Sequence, residues 1–246
     1  MKFIVYGDEA RVAVQNTEGL FDAADATAAY ADTGPNRTRA SVPSRLIELI
    51  KRERPALELL ETVGEWVRTE RPDMLFGPGD VPLQAPWPGS RIAAAGGNFA
   101  DHLSAGMARR GRSLTSEEAY RLVRSDDPLG YWKLPSTAIG PGGVIPYPRR
   151  CDRLDYEGEV AIVIGPGGTD IPAEEAMNHV WGVTAFNDWS IRAPAKAGFF
   201  PFSLNLDKNF DGATSLGPAI VVDEVEVEVT GVGVLRNTIG PARGER

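Results

Sequence analysis

The sequence predicts an α+β fold, β-rich in its larger part and led by a small α+β module at residues 1–72. Three observations predict it. An apolar hairpin pattern opens the chain, a helical apolar period follows from Pro43, and short apolar runs set between Gly/Pro turns fill residues 73–246.

Taken in order, Lys2 to Tyr6 and Arg11 to Gln15 read as paired strands around the turn Gly7-Asp8-Glu9. Ala23 to Tyr30 is Ala-rich, and the stretch to Arg39 is polar. Leu46, Leu49, Ile50, Leu57, Leu60, Val63 and Val67 then recur at helical spacing, with Pro55 expected to break the run into two helices. Turn formers crowd Phe76 to Pro82 and Pro86-Trp87-Pro88, which places a linker there. Beyond it, β-like runs occur at Arg91 to Ala95, Val160 to Ile164, Trp181 to Phe186, Ala219 to Val222 and Val225 to Val229. The clearest later helix is Glu117 to Val123, because Thr115 and Glu118 have the spacing of a capping box.

Composition narrows the function. A net charge of −8 argues against nucleic acid or an anionic membrane surface as the main partner. No apolar stretch approaches the length of a membrane span, and the opening MKFIVY is too short for a signal peptide. The single cysteine, Cys151, allows no internal disulfide and fits a reducing, cytoplasmic setting. It reads as a structural thiol, since no histidine is near it in sequence.

The segment DRLDYEGEVAIVIG raises the question of what two glutamates do in an apolar strand. Period-two alternation over Tyr156 to Ile164 puts Glu157, Glu159, Ala161 and Val163 on one face and Val160, Ile162 and Ile164 on the other. A strand apolar on both sides is expected to be covered on both, and two carboxylates sharing a covered face need a positive charge between them. A divalent cation satisfies that need; an acidic edge strand facing water is the alternative. A second apolar strand ends in Asn187-Asp188, and Asp188 is a candidate third oxygen ligand. An all-carboxylate set with no cysteine cluster favours Mg²⁺, Mn²⁺ or Ca²⁺ over Zn²⁺. His102, after the small residues Ala94 to Gly97, is a candidate for chemistry, whereas His179 reads as structural. Lys133-Leu134-Pro135-Ser136 and Asp207-Lys208-Asn209-Phe210 each set one cation in a turn-like context.

Together, GGNFADH at 96–102, KLPSTAIGPGGVIPYP at 133–148, LDYEGEVAIVIG at 154–165, VTAFNDWSIR at 183–192 and LDKNFDGATSLGP at 206–218 resemble the fumarylacetoacetate hydrolase family in order and spacing. The resemblance covers most of Pro82 to Arg236. It implies a mixed β-sheet or β-roll catalytic domain around Mg²⁺ or Mn²⁺, acting on small anionic 2-oxo or 1,3-dicarbonyl acids, commonly as a homodimer. Carried over by residue, it implies metal ligation by Glu157, Glu159 and Asp188, a general base at His102, and charge stabilisation by Lys208. It places Lys133, Ser136 and Arg192 in motifs that line the substrate site. The reaction class implied is hydrolytic or lyase-type cleavage of a C–C bond, with a catalytically impaired metal-binding remnant as the alternative.

Two departures from the family pattern bear on activity. Where relatives carry a glutamate three residues after the histidine, this chain has Ala105, so Glu117 or Glu118 is the substitute to consider. The family's mid-domain pattern at Leu216 to Val222 also runs directly into its C-terminal pattern at Val227 to Thr238, which predicts an internal deletion near residues 223–225 and a site with one open wall. Arg109, Arg110 and Arg112 read as a solvated loop that could attract an anionic substrate.

Overall fold

The computed structural model describes residues 1–33, 41–87, 89, 91–108, 111–125, 130–192, 205–222 and 238–240. The expected deletion point near 223–225, the expected strand at 225–229, and Arg109 and Arg110 lie outside the described residues.

The leading hairpin forms as its alternation dictates. β1 (Lys2–Tyr6) pairs antiparallel with β2 (Arg11–Gln15), and β2 with β3 (Leu20–Asp22). Three helices follow: α1 (Ala23–Thr33), α2 (Leu46–Ile50) and α3 (Glu53–Glu70). The break between α2 and α3 falls at Lys51-Arg52, ahead of Pro55. Pro55 sits instead in the first turn of α3, where a missing N–H costs no helical bond. Ala56, Leu60, Val63 and Val67 give α3 one buried face.

The second part begins with β4 (Ile92–Ala95), α4 (Ala100–Ala108), α5 (Ser116–Ser125) and β5 (Gly130–Lys133). The α4 and α5 helices pack together between the paired strands β4 and β5. Short strands β6 (Ala138–Ile139), β7 (Val144–Pro146) and β8 (Leu154–Asp155) lead to β9 (Gly158–Ile164). After a 3₁₀ segment at Ala173–His179 come β10 (Val180–Asp188), β11 (Ser190–Ile191), β12 (Thr214–Leu216), β13 (Ile220–Val221) and β14 (Thr238–Gly240).

The largest sheet runs β3-β2-β1-β13-β10-β12-β6, with β9 on the other edge of β10. β1 pairs antiparallel with β13, Lys2 opposite Val221, so a single sheet passes through residues on both sides of position 72. The core follows it. Phe3, Val14, Leu49 and Leu60 share one buried cluster with Val163, Trp181 and Ile220, and the rings of Phe3 and Trp181 lie 5.0 Å apart. Gly182 is required where β10 meets β13, because a Cβ there would lie 2.6 Å from both Ile220 Cγ2 and Val221 O.

One expectation fails on β9. Val163 is buried, but Ile162 and Ile164 on the opposite face are each 59% exposed. Apolar alternation on both faces reports what each face would favour; Val160 on the second face is half-buried, and its far end at Ile162 and Ile164 stands open among the described residues. No described helix is long and apolar enough to cross a membrane.

Candidate metal centre

Strand register assembles the acidic cluster. Glu159 lies opposite Phe186 and Gly158 opposite Asn187, so one further step sets Glu157 opposite Asp188. One main-chain bond and one side-chain bond close that step: Asp188 N donates to Glu157 O at 2.9 Å, and Glu157 N donates to the side-chain Oδ1 of Asn187 at 3.0 Å. Because facing residues share a side of the sheet, Glu157, Glu159 and Asp188 all project to one side. One carboxylate oxygen from each lies within 4.8 Å of the others. Oxygens on opposite sides of a Mg²⁺ are about 4 Å apart and of a Ca²⁺ about 5 Å, so this spread matches the coordination sphere of one hard cation.

Protein cations already surround the cluster. Lys208, in the helical turn 205–208, donates to Asp188 Oδ2 at 2.6 Å and to Glu157 Oε2. Arg192 donates from Nε to Asp155 Oδ2 at 3.0 Å and from its terminal nitrogen to Glu157 Oε1. It is held in place by the β8–β11 pairing and by its own N–H, which donates to Arg153 O at 2.8 Å. Lys133 donates to Asp188 Oδ1 at 2.6 Å, and neither side chain is exposed.

The three carboxylates therefore differ. Burial alone would raise Glu157, but hydrogen bonds from Lys208 and Arg192 outweigh it and hold that carboxyl below its usual range. Glu159 has neither bond. Burial, with the adjacent charges of Asp188 and Glu157, pushes it up to about 7 against a weaker pull from Lys208 and Lys133. A buried carboxyl facing two others of like charge is the position a bound cation would relieve, so the residues fit a divalent ion held by Glu157, Glu159 and Asp188. Burial pushes the Lys133 ammonium down, with Asp188 opposing that shift.

Other residues singled out by sequence lie apart from this network. His102 stands exposed on α4, and among the described residues no hydrogen bond joins it to the cluster. Ala105 is exposed one turn later. Glu118 is committed elsewhere: its Oε2 accepts from Thr115 N at 2.8 Å and Thr115 Oγ1 at 2.9 Å, the capping box the sequence predicts. Ser136 is exposed in the 3₁₀ turn Pro135–Thr137. His179 Nδ1 lies 2.7 Å from Pro166 O, a local structural tie, and burial raises the Cys151 thiol rather than activating it. Tyr131 was not singled out by sequence, yet its hydroxyl donates to Asp188 Oδ2. The available signal was its i, i+2 relation to Lys133 on one strand.

A β-rich fold thus brings to one point three carboxylates that could hold a metal ion. Residues 91–224 match the family described as fumarylacetoacetate (FAA) hydrolase C-terminal, and the chain belongs to that family. Among curated relatives, oxaloacetate tautomerase YisK of Bacillus subtilis is 29% identical over 189 residues, covering 74% of this chain and 57% of that protein. Two solved structures share the fold. Maleylpyruvate hydrolase from Sphingobium sp. SYK-6, in complex with manganese(II) ion and pyruvate, aligns with a TM-score of 0.56 at 18% identity, covering 93% of this chain and 69% of that one. Fumarylacetoacetate hydrolase from Exiguobacterium antarcticum aligns with a TM-score of 0.53 at 22% identity, covering 90% and 66%. The chain spans about half the length of the curated relatives it matches.

Proposed function

We propose that this chain is a divalent-metal-dependent enzyme that stabilises the enolate of a small 2-oxo or 1,3-dicarbonyl acid. The reactions open to it are cleavage of the adjacent C–C bond, as in acylpyruvate hydrolysis or oxaloacetate decarboxylation, and keto–enol exchange. The observation that carries the reading is the convergence of Glu157, Glu159 and Asp188 oxygens within 4.8 Å. Mg²⁺ or Mn²⁺ is the proposed ion, with Ca²⁺ compatible with the same ligands. When bound, the ion supplies Lewis-acid stabilisation of negative charge on substrate oxygen.

The chain's own residues set the rest. Lys133, Lys208, Arg192 and Arg153 face the carboxylates of Asp155, Glu157, Glu159 and Asp188, so the charges of the metal-free site nearly cancel. A divalent ion makes the site positive, which suits an anionic oxo acid. Lys208 supplies fixed positive charge where the enolate develops, and Arg192, 28% exposed, is the proposed contact for a substrate carboxylate. His102 is the proposed proton carrier. With Ala105 one turn on and Glu118 engaged in its helix cap, no acidic partner at the family position orients it. That favours decarboxylation, which leans on ion and lysine, over cleavage by an activated water. The resemblance to a tautomerase supports keto–enol exchange as a further reaction, for which His102 would have to move the proton.

A second reading is a metal-binding chain with little turnover. The exposed side chains of Ile162 and Ile164 favour it. Turnover of oxaloacetate and of an acylpyruvate with Mg²⁺ or Mn²⁺, compared with Glu157→Ala, decides between the two. A rate lost in the variant supports the enzyme; metal binding with no rate in either protein supports the second reading. A homodimer and a cytoplasmic setting are part of the same proposal.

A further inference from the structure

Strand β5 alternates outward and inward residues: Gly130 and Trp132 are exposed, while Tyr131 and Lys133 point towards the end of β10. An ammonium has three donors, and those of Lys133 meet three acceptors: Asp188 Oδ1 at 2.6 Å, Ala213 O at 3.2 Å and Lys208 O. With the side chain wholly buried and each donor used, none remains for a substrate. Tyr131 complements it. Its hydroxyl donates to Asp188 Oδ2, and the Lys208 ammonium lies over its ring, 5.5 Å from the centroid.

The two side chains therefore grip both oxygens of one proposed metal ligand. Lys133 also holds the main chain of Lys208, and Tyr131 holds its ammonium. We propose that β5 is the positioning strand of the metal centre: Tyr131 and Lys133 fix the Asp188 carboxylate and the carrier of Lys208, and neither contacts substrate. This assigns Lys133 a different task from the substrate-lining one that the family resemblance implies. The physical reason is geometric. A carboxylate fixed at both oxygens presents its free lone pair in one direction, whereas one free to turn loses orientation on each ion it meets.

The proposal rests on the metal reading above, and the experiment separates the two. Calorimetry measures Mn²⁺ affinity for the wild type, Tyr131→Phe and Lys133→Met, below the melting temperature of each and with near-ultraviolet dichroism as a check on folding. Tyr131→Phe changes no charge, so the expected loss, about tenfold in affinity, reports orientation alone. Lys133→Met removes a positive charge beside the site. A role through charge alone, or through substrate, predicts unchanged or tighter Mn²⁺ binding; positioning predicts weaker binding. The magnetic resonance spectrum of bound Mn²⁺ is expected to broaden in Tyr131→Phe, which a purely stabilising residue would not cause. Wild-type affinity retained in Tyr131→Phe overturns the positioning role and leaves the metal reading standing, even where Lys133→Met fails to fold. A wild type that binds no Mn²⁺ at millimolar concentration overturns both.

Discussion

The ammonium of Lys208 lies 2.6 Å from Asp188 Oδ2 and donates to Glu157 Oε2 as well, so one protein cation spans two of the three proposed metal ligands. In the metal-free protein Lys208 supplies part of the positive charge that the clustered carboxylates require.

It follows that the lysine and the ion oppose each other at the same oxygens. Lys208→Met is expected to bind Mg²⁺ or Mn²⁺ roughly tenfold more tightly, because a like charge near the ion has gone. Turnover is expected to fall ~100-fold, since the fixed charge facing the developing enolate is lost. Titration calorimetry and steady-state rates on one preparation check both, and weaker metal binding in the variant would count against the assignment.

Glu159 predicts a pH dependence with a definite sign. Its folded-state pKa of about 7 lies above the unfolded value of 4.5, so the metal-free fold holds the extra proton between those limits. The stability linked to that proton is fully present below about 4.5 and is lost as pH rises through 7. Metal affinity runs the other way, rising towards pH 7 as the carboxylate forms. Glu159→Gln is expected to flatten the metal-free melting curve against pH, raise the melting temperature at pH 8, and abolish tight metal binding.

Asp22 anchors the leading strands. It accepts from Arg11 Nε and Nη2, each at 2.7 Å, from Tyr6 at 2.6 Å and from Asp25 N at 2.9 Å. Burial works against its ionisation, yet the Arg11 and Tyr6 bonds outweigh it and hold the carboxyl below its usual range. Its contribution is therefore present above the unfolded pKa and lost as pH falls through the folded one. Asp22→Ala is expected to cost about 3 kcal/mol in urea unfolding at pH 7 and much less near pH 2.

Gly182→Ala tests the seam between β10 and β13. The added methyl would meet the main-chain oxygen of Val221 as well as Ile220, and main chain yields less readily than a side-chain tip. A loss of about 1–3 kcal/mol is expected in thermal unfolding. A neutral effect would mean that β13 shifts freely along its neighbour.

What the sequence could reveal follows the range of each interaction. The β1–β2 hairpin and the Thr115–Glu118 capping box depend on residues a few positions apart, and both were legible. The shared face of Glu157 and Glu159 follows from period two, and Asp188 was legible as a carboxylate at a strand end, but its arrival beside them depends on pairing between separate strands that no local pattern states. Tyr131 was missed because its partner lies 57 positions along the chain, and the one local signal, its place two residues before Lys133 on a strand, does not name that partner. The second face of β9 was read as covered because Val160, Ile162 and Ile164 are apolar. Side-chain chemistry records an affinity for cover, whereas the cover itself comes from elements elsewhere in the chain.

The pairing of β1 with β13 joins residue 2 to residue 221. At ribosomal speeds of about 5–20 residues per second, the first strand waits roughly 10 to 40 seconds after synthesis before its partner exists. During that interval the nascent hairpin presents a bare edge, and the long closure required gives the sheet a high contact order. Closure of the central seam is therefore a late event in the folding of this chain.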